Sequence, residues 1–203
     1  MIKKICLCFA AILFMCFYAV ASMGDNSMYG SVLQMYIDHI TEVIKDDDWL
    51  DGRGEMSLIY IDDDDIPELV INWGFSARGC QVCTVSDGKL VCTTVGDDGV
   101  SYIERQNIFI NSGVRRYHYS DTVYTIQNGE FAIRHKGEYV EKNIDDVEYY
   151  CRWDGKEVTE SEYEKKLRSA FDRSKSISSS ENACSAAEML QKINALLSTK
   201  TSQ

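Results

Sequence analysis

Three two-residue turn signals constrain the fold of this chain more than any other feature of its sequence. Asp87-Gly88, Asn128-Gly129 and Asp154-Gly155 each separate two short runs in which apolar and polar residues alternate. Asp-Gly and Asn-Gly favour tight hairpins, because these residues tolerate the positive φ that a type I′ turn requires. The turns are unequally spaced, unlike those of a repeat protein. The sequence therefore predicts a single antiparallel β-meander of about seven to nine strands.

Helical periodicity flanks this strand-rich region on both sides. From residue 27 onward, apolar residues recur at helical spacing and predict an N-terminal amphipathic helix. Thr159 and Glu162 fit a capping box at the start of a second helix, and a further apolar stripe runs from Ala186 to Leu197. We therefore expect an α+β fold with an N-terminal helix, an antiparallel β-meander and two C-terminal helices. The serine-rich stretch "SKSISSSEN" is expected to be a linker to the last helix.

The first residues have the layout of a secretory signal peptide. Lys3 and Lys4 precede an apolar run that ends at Ala19-Val20-Ala21, a small-x-small cleavage site. Cleavage is favoured over an uncleaved membrane anchor, because the run is shorter than the roughly 20 residues that cross a bilayer. The protein is then secreted or at the cell surface, with no membrane segment after cleavage. The expected organisation is a signal peptide at 1–21, a secreted α+β domain at 22–175, and the linker with the C-terminal helix at 176–203.

The chain is strongly acidic, with a formal net charge of −11. A surface of this sign repels nucleic acid and anionic membranes, and it favours cations or basic partners. The sequence contains no G-x-S-x-G, H-E-x-x-H, P-loop or dinucleotide fingerprint. Paired carboxylates of a glycoside hydrolase have no such fingerprint, since their separation depends on the fold. The sequence thus favours a binding or structural protein over an enzyme.

Five of the eight cysteines follow the expected signal peptide, so at least one must lie outside an intramolecular pair. With Asp87-Gly88 as the turn, Cys83 faces Cys92 at a non-hydrogen-bonded position, where Cα atoms approach to about 4.5 Å. This register predicts a Cys83–Cys92 cross-strand disulfide, with two small buried residues side by side as the alternative. Cys80 and Cys83 have the C-x-x-C spacing of zinc sites, but in a strand their side chains point to opposite faces.

Four consecutive aspartates separate two strand-like runs in "LIYIDDDDIPELVINWG". This segment resembles the D-x-D-x-D-G-x-P-E-L loop of secreted proteins from gut Clostridia, in which an acidic loop joins two core strands and is similar to a calcium-binding loop. The segment "RWDGKEVTESEYEKKL" is also similar to the C-terminal part of such proteins. The resemblance implies an extracytoplasmic α+β domain and no established activity.

The same resemblance implies a calcium site in the acidic loop. Tyr60 stands where the first aspartate is expected, and Asp65 replaces the glycine, so this loop departs from the pattern. Calcium prefers six to eight oxygen ligands, and the missing first aspartate implies a weak or structural site. A solvated turn without metal is the alternative. The expected ligands are the carboxylates of Asp62, Asp64 and Glu68 and a main-chain carbonyl near Ile66.

One basic and aromatic cluster stands out in this acidic chain: Arg115, Arg116, Tyr117, His118 and Tyr119. Placed on one strand, these residues would form a surface for a glycan, peptide or protein ligand of the cell envelope; an exposed strand face with cross-strand aromatic pairs is the alternative. His39, beside the apolar stripe of the first helix, is expected to be structural. The favoured function is a secreted binding module of unknown ligand with a weak structural calcium site. The alternatives are a secreted hydrolase that uses acidic residues and a purely structural envelope protein.

Overall fold

The computed structural model describes residues 28–45, 54–74, 78–96, 99–141 and 149–200. Within these ranges the chain forms an N-terminal helix, eleven antiparallel strands and two C-terminal helices, which confirms the predicted α+β fold. The expected signal peptide lies outside the described residues. No helix in the described ranges is long and apolar enough to span a membrane. The helices are α1 (28–45), α2 (Glu160–Ala170) and α3 (Ala186–Lys200).

The strands form two antiparallel sheets instead of the single expected meander. The first sheet contains β1 (Glu55–Ile59), β2 (Glu68–Asn72), β3 (Cys80–Ser86) and β4 (Lys89–Val95), which pair in chain order. The second contains β5 (Ser101–Ile103), β6 (Ile108–Arg115), β7 (His118–Gln127), β8 (Glu130–Val140), β9 (Cys151–Trp153), β10 (Lys156–Glu157) and β11 (Ile177–Ser178). Its spatial order is β10-β9-β8-β7-β6-β5-β11, so only β11 departs from a meander.

All three predicted two-residue turns are present. In Asp87-Gly88, for example, φ is 50° and 69°, and both residues of the other two pairs also have positive φ. A fourth tight hairpin joins β6 to β7 through Arg116 and Tyr117, with Arg116 at φ 56°. The sequence carries no turn signal there, because neither residue favours positive φ.

Helices cover the outer face of each sheet, and the inner faces of the two sheets pack together. The run "ELVI" in β2 shows how alternation serves both sides of the first sheet: Leu69 and Ile71 pack against α1 and α3, whereas Val70 faces the second sheet. On the far side of the second sheet, Phe171 and Tyr163 of the α2 region pack against β6, β7 and β9. A strand buried on both faces needs apolar residues at consecutive positions, which explains the unbroken apolar runs.

The serine-rich segment that was expected to be a linker packs along both sheets. Ile177 and Ser178 form β11 at the edge of the second sheet, paired with β5. Ser179 is buried, and its hydroxyl accepts a hydrogen bond from the Val100 N–H at 3.2 Å. Further on, Cys184 pairs with Met56 of β1 through two backbone hydrogen bonds of 2.8 and 2.9 Å. The segment therefore ties α3 to both sheets.

Candidate cation site and ligand-binding surfaces

The four aspartates lie in the loop between β1 and β2, and their side chains shape its backbone. The Asp64 N–H donates to Oδ1 of Asp62 at 3.2 Å, and the Ile66 N–H donates to Oδ1 of Asp64 at 2.8 Å. These are Asx turns, in which a short acidic side chain replaces a backbone acceptor. They turn the carboxylates of Asp62 and Asp64 towards the start of β2.

Glu68, the first residue of β2, is completely buried beside this loop. Its Oε2 accepts a hydrogen bond from the Ile61 N–H at 2.8 Å, and its Oε1 accepts one from the Thr84 hydroxyl at 3.3 Å. Both donors are uncharged. Burial, reinforced by the nearby carboxylates of Asp62 and Asp64, raises the pKa of Glu68 to about 8. One carboxylate oxygen from each of these three acids lies within 4.8 Å of the others.

The other half of the aspartate run contacts a cation from the second sheet. The Arg105 guanidinium donates to the carbonyl of Asp64 and to the carboxylate of Asp65, both at 3.1 Å. It also stacks 4.8 Å from the ring centroid of Tyr60, the residue at the expected first calcium position. The loop thus divides its charge: Asp65 is paired with arginine, and Asp62 and Asp64 converge on Glu68.

The structure brings together three of the four predicted calcium ligands. Asp62, Asp64 and Glu68 offer hard carboxylate oxygens, which suit calcium better than a thiophilic metal. Desolvation and the neighbouring aspartates Asp62 and Asp63 raise the pKa of Asp64, although the Ile66 N–H opposes the shift. Ile66 donates its N–H to the Asp64 carboxylate and is not a member of the three-carboxylate cluster. The calcium site remains a prediction with a compatible donor set.

The predicted disulfide joins Cys83 and Cys92 across the β3–β4 hairpin, with their Cα atoms 4.1 Å apart. The C-x-x-C spacing does not bring Cys80 and Cys83 together, because Cys80 packs between the sheets and Cys83 packs under α1. Sequence analysis missed the neighbour of this disulfide. His39 of α1 places Nε2 3.9 Å from Sγ of Cys92 and 2.8 Å from Oε1 of Gln81.

The predicted basic and aromatic cluster forms a hairpin tip, not one continuous strand face. Arg115 ends β6, Arg116 and Tyr117 form the turn, and His118 and Tyr119 begin β7. The positive φ of Arg116 reverses the chain there. A cavity of about 380 Å³ adjoins the tip and is lined by three of the five residues, together with others from β7, β8, the residue after β4 and the approach to β9. Its lining comprises Gly96, Arg115, His118, Tyr119, Ser120, Glu138 and Tyr150.

A larger cavity of about 430 Å³ lies between the second sheet and α2, and no local sequence pattern predicts it. Asp121, only 6% exposed, accepts hydrogen bonds there from the Tyr163 hydroxyl at 2.7 Å and from Arg173 at 2.9 Å. Tyr119 stacks on Tyr139 at 4.4 Å between ring centroids, which connects the hairpin tip to this cavity. We call it the tyrosine cavity; its acidic and aromatic lining is Asp121, Glu141, Glu160, Glu164, Tyr139, Tyr149 and Tyr163.

No protein-family model matches the chain, and neither the curated proteins nor the solved structures include a match.

Proposed function

We propose that this protein is an extracytoplasmic binding module in which a calcium ion stiffens the acidic loop. The observation that carries the proposal is the burial of Glu68 next to Asp62 and Asp64, with one oxygen of each within 4.8 Å of the others. A buried carboxylate is costly unless a cation or a proton neutralises it. The hydrogen bonds that reach Glu68 come from neutral groups, so a bound cation would remove this cost.

The ion would have a structural role. The loop connects the first two strands of one sheet, and Arg105 ties it to the β5–β6 turn of the other. Backbone bonds strengthen this junction: the Arg105 N–H donates to the Tyr60 carbonyl at 3.0 Å, and the Asn107 N–H donates to the Ile61 carbonyl at 2.7 Å. By neutralising the carboxylates, the bound ion would stabilise the contact between the two sheets. It would take no part in a catalytic reaction.

Thermal melting with and without calcium tests this proposal. In the mature chain, millimolar calcium should raise Tm relative to EDTA, and Asp62→Asn/Asp64→Asn should abolish that rise. Asp63→Asn is a matched control, because Asp63 belongs to the same loop and is exposed outside the three-carboxylate cluster. A calcium response that is absent from the wild type, or equally reduced by the control, would reject the site.

For the ligand surface, we infer that the tyrosine cavity accepts an amine-bearing group such as a lysine side chain of a protein partner. Four carboxylates and three tyrosines line the cavity, against a single arginine that already bonds Asp121. Ammonium groups bind carboxylates through charge-assisted hydrogen bonds and bind aromatic faces through cation–π attraction. The specific observation favouring a binding protein over a purely structural one is this aromatic cavity beside the Arg115–Tyr119 tip.

Calorimetric titration with a lysine peptide and its Nε-acetylated form tests the cavity. The unmodified peptide should bind and the acetylated form should not, and Glu160→Gln should weaken binding. Glu157→Gln, an exposed residue of β10 outside the cavity, serves as the charge-matched control. Equal binding of both peptides would exclude recognition of the ammonium group.

The extracytoplasmic location rests on the signal-peptide pattern and agrees with the Cys83–Cys92 disulfide, since such bonds persist in oxidising compartments. N-terminal sequencing of the exported protein should begin at Ser22. An exported protein that still carries residues 1–21 would contradict cleavage and favour the uncleaved membrane anchor, whereas a protein retained inside the cell would contradict the location.

A further inference from the structure

A histidine and two cysteines meet on the helix-covered face of the first sheet. Cys83 and Gln81 are two residues apart on β3, so their side chains share this face, and Cys92 lies directly opposite Cys83 on β4. His39 reaches down from α1, with Nε2 3.9 Å from Sγ of Cys92. A ring nitrogen of His39 and the two sulfurs all lie within 4.8 Å of one another.

Two sulfurs and an imidazole nitrogen are the donor set of a soft-metal site, but the disulfide prevents these sulfurs from binding metal. While the sulfurs are joined, neither is a thiolate, and a thiolate is the form of cysteine that binds metal. A dithiol supplies two electrons and two protons, which convert the disulfide into two thiols while the dithiol becomes a disulfide. A phosphine supplies only the two electrons, and water supplies the two protons and the oxygen of the phosphine oxide that forms. Zinc then binds both sulfurs as thiolates and releases the two protons.

The distance from the imidazole nitrogen to one sulfur already fits a tetrahedral ion. Zinc lies about 2.3 Å from sulfur and about 2.0–2.1 Å from nitrogen, so neighbouring S and N ligands are about 3.6 Å apart. The observed 3.9 Å between Nε2 and Sγ of Cys92 is close to that value. In the disulfide form, Oε1 of Gln81 accepts a hydrogen bond from Nε2–H of His39 at 2.8 Å. Zinc would replace this proton, with His39 in its Nδ1–H tautomer, and Oε1 would be left to bond a metal-bound water. The reduced sulfurs must separate by side-chain rotation alone.

We propose that reduction of the Cys83–Cys92 disulfide creates a site for Zn²⁺ formed by Cys83, Cys92 and His39. Access is from the edge of the helix-covered face, because Cys83 is fully buried whereas Cys92 and His39 are partly exposed. Two neutral thiols would leave the hairpin without its covalent link, and the metal would restore a link between the same strands and add one to α1. The site is independent of the carboxylate site proposed for calcium.

Cobalt titration of the mature chain tests the proposal, because thiolate ligation gives Co²⁺ a sulfur-to-metal charge-transfer absorption that oxygen ligands do not give. The protein is reduced with a phosphine, desalted without oxygen, and titrated in the Asp62→Asn/Asp64→Asn background, so that failure of the calcium proposal cannot affect the outcome. One equivalent of Co²⁺ should bind and produce this absorption, and added Zn²⁺ should displace the bound Co²⁺. The oxidised protein should show none.

Substitution of His39, the third proposed ligand, distinguishes a three-ligand metal site from metal binding by the two thiols alone. His39→Ala should weaken cobalt binding by more than about 10-fold, since even residues that only hydrogen-bond to metal ligands contribute about 10- to 100-fold. His135→Ala is the control, because His135 lies in β8 and pairs with Asp154. An unchanged affinity in His39→Ala would overturn the site. A reduced chain that unfolds and binds no cobalt would also overturn it, whereas refolding on metal addition would support it.

Discussion

Replacing Glu68 with glutamine should remove a pH-dependent instability from the metal-free protein. The amide can accept from the Ile61 N–H and donate to the Thr84 oxygen, so Glu68→Gln can keep both contacts of the carboxylate. What it cannot do is ionise. The variant therefore isolates the cost of a buried negative charge at this position.

The size of the effect follows from the pKa. Burial and the neighbouring aspartates raise the pKa of Glu68 from 4.5 to about 8. Between those values the folded protein holds a proton that the unfolded chain has lost, so the free energy of unfolding falls as pH rises. The stabilising contribution is complete below pH 4.5 and is lost by pH 8. At about 1.4 kcal/mol per pH unit, the loss in the wild type reaches about 5 kcal/mol.

Urea unfolding at pH 5, 7 and 9, in EDTA and in calcium, measures this difference. In EDTA, the stability of Glu68→Gln relative to the wild type should increase with pH. Calcium competes with the proton for Glu68, so it should stabilise the wild type more at pH 9 than at pH 5 and leave the variant unchanged. Parallel pH profiles of the two proteins, or equal calcium stabilisation of both, would refute the reasoning.

Three further substitutions test the packing around these sites. Tyr36→Phe removes the 2.8 Å hydrogen bond from the buried Tyr36 hydroxyl to the Pro67 carbonyl, and chemical denaturation should show a loss of about 1 to 3 kcal/mol; a neutral result would mean that water replaces the hydroxyl. Cys83→Ser/Cys92→Ser opens a loop with a sequence separation of 9. The chain-entropy model gives a decrease of about 2.6 kcal/mol in the free energy of unfolding. Urea unfolding of the variant and the wild type measures this decrease, and equal midpoints would contradict it. Gly137→Ala places a Cβ 2.5 Å from the Tyr163 hydroxyl. The free energy of unfolding should fall by about 1 to 3 kcal/mol, and the near-UV circular dichroism of the tyrosines should change. An unaltered spectrum would mean that Tyr163 does not pack against this glycine.

Local spacing was sufficient to predict the elements and the hairpin disulfide. A type I′ turn depends on two adjacent residues, and the register of Cys83 and Cys92 follows by counting outward from Asp87-Gly88. The capping box of α2 is equally local, with the Glu162 N–H donating to the Thr159 hydroxyl at 3.3 Å. Each of these features is complete within about ten residues.

The sites depend on contacts between distant parts of the chain, which spacing does not encode. Arg105 meets Asp65 across 40 positions, and His39 meets Cys92 across 53. The division into two sheets has the same origin, because an apolar run such as "ELVI" is compatible with a strand in either arrangement. Only the packing of one sheet on the other buries Glu68 and raises its pKa.

The pairing of Met56 with Cys184 has a consequence for the order of folding. β1 is the edge strand of its sheet, and its outer side is joined by a segment that is synthesised 128 residues later. A chain that emerges N-terminus first can form the β1–β4 meander early, but the rim of β1 then stays open to other chains. Contacts this remote in sequence also slow the search for the native state. Nascent or truncated chains that end before residue 184 should therefore aggregate through β1, because the bridge at Cys184, just before α3, covers that edge in the folded protein.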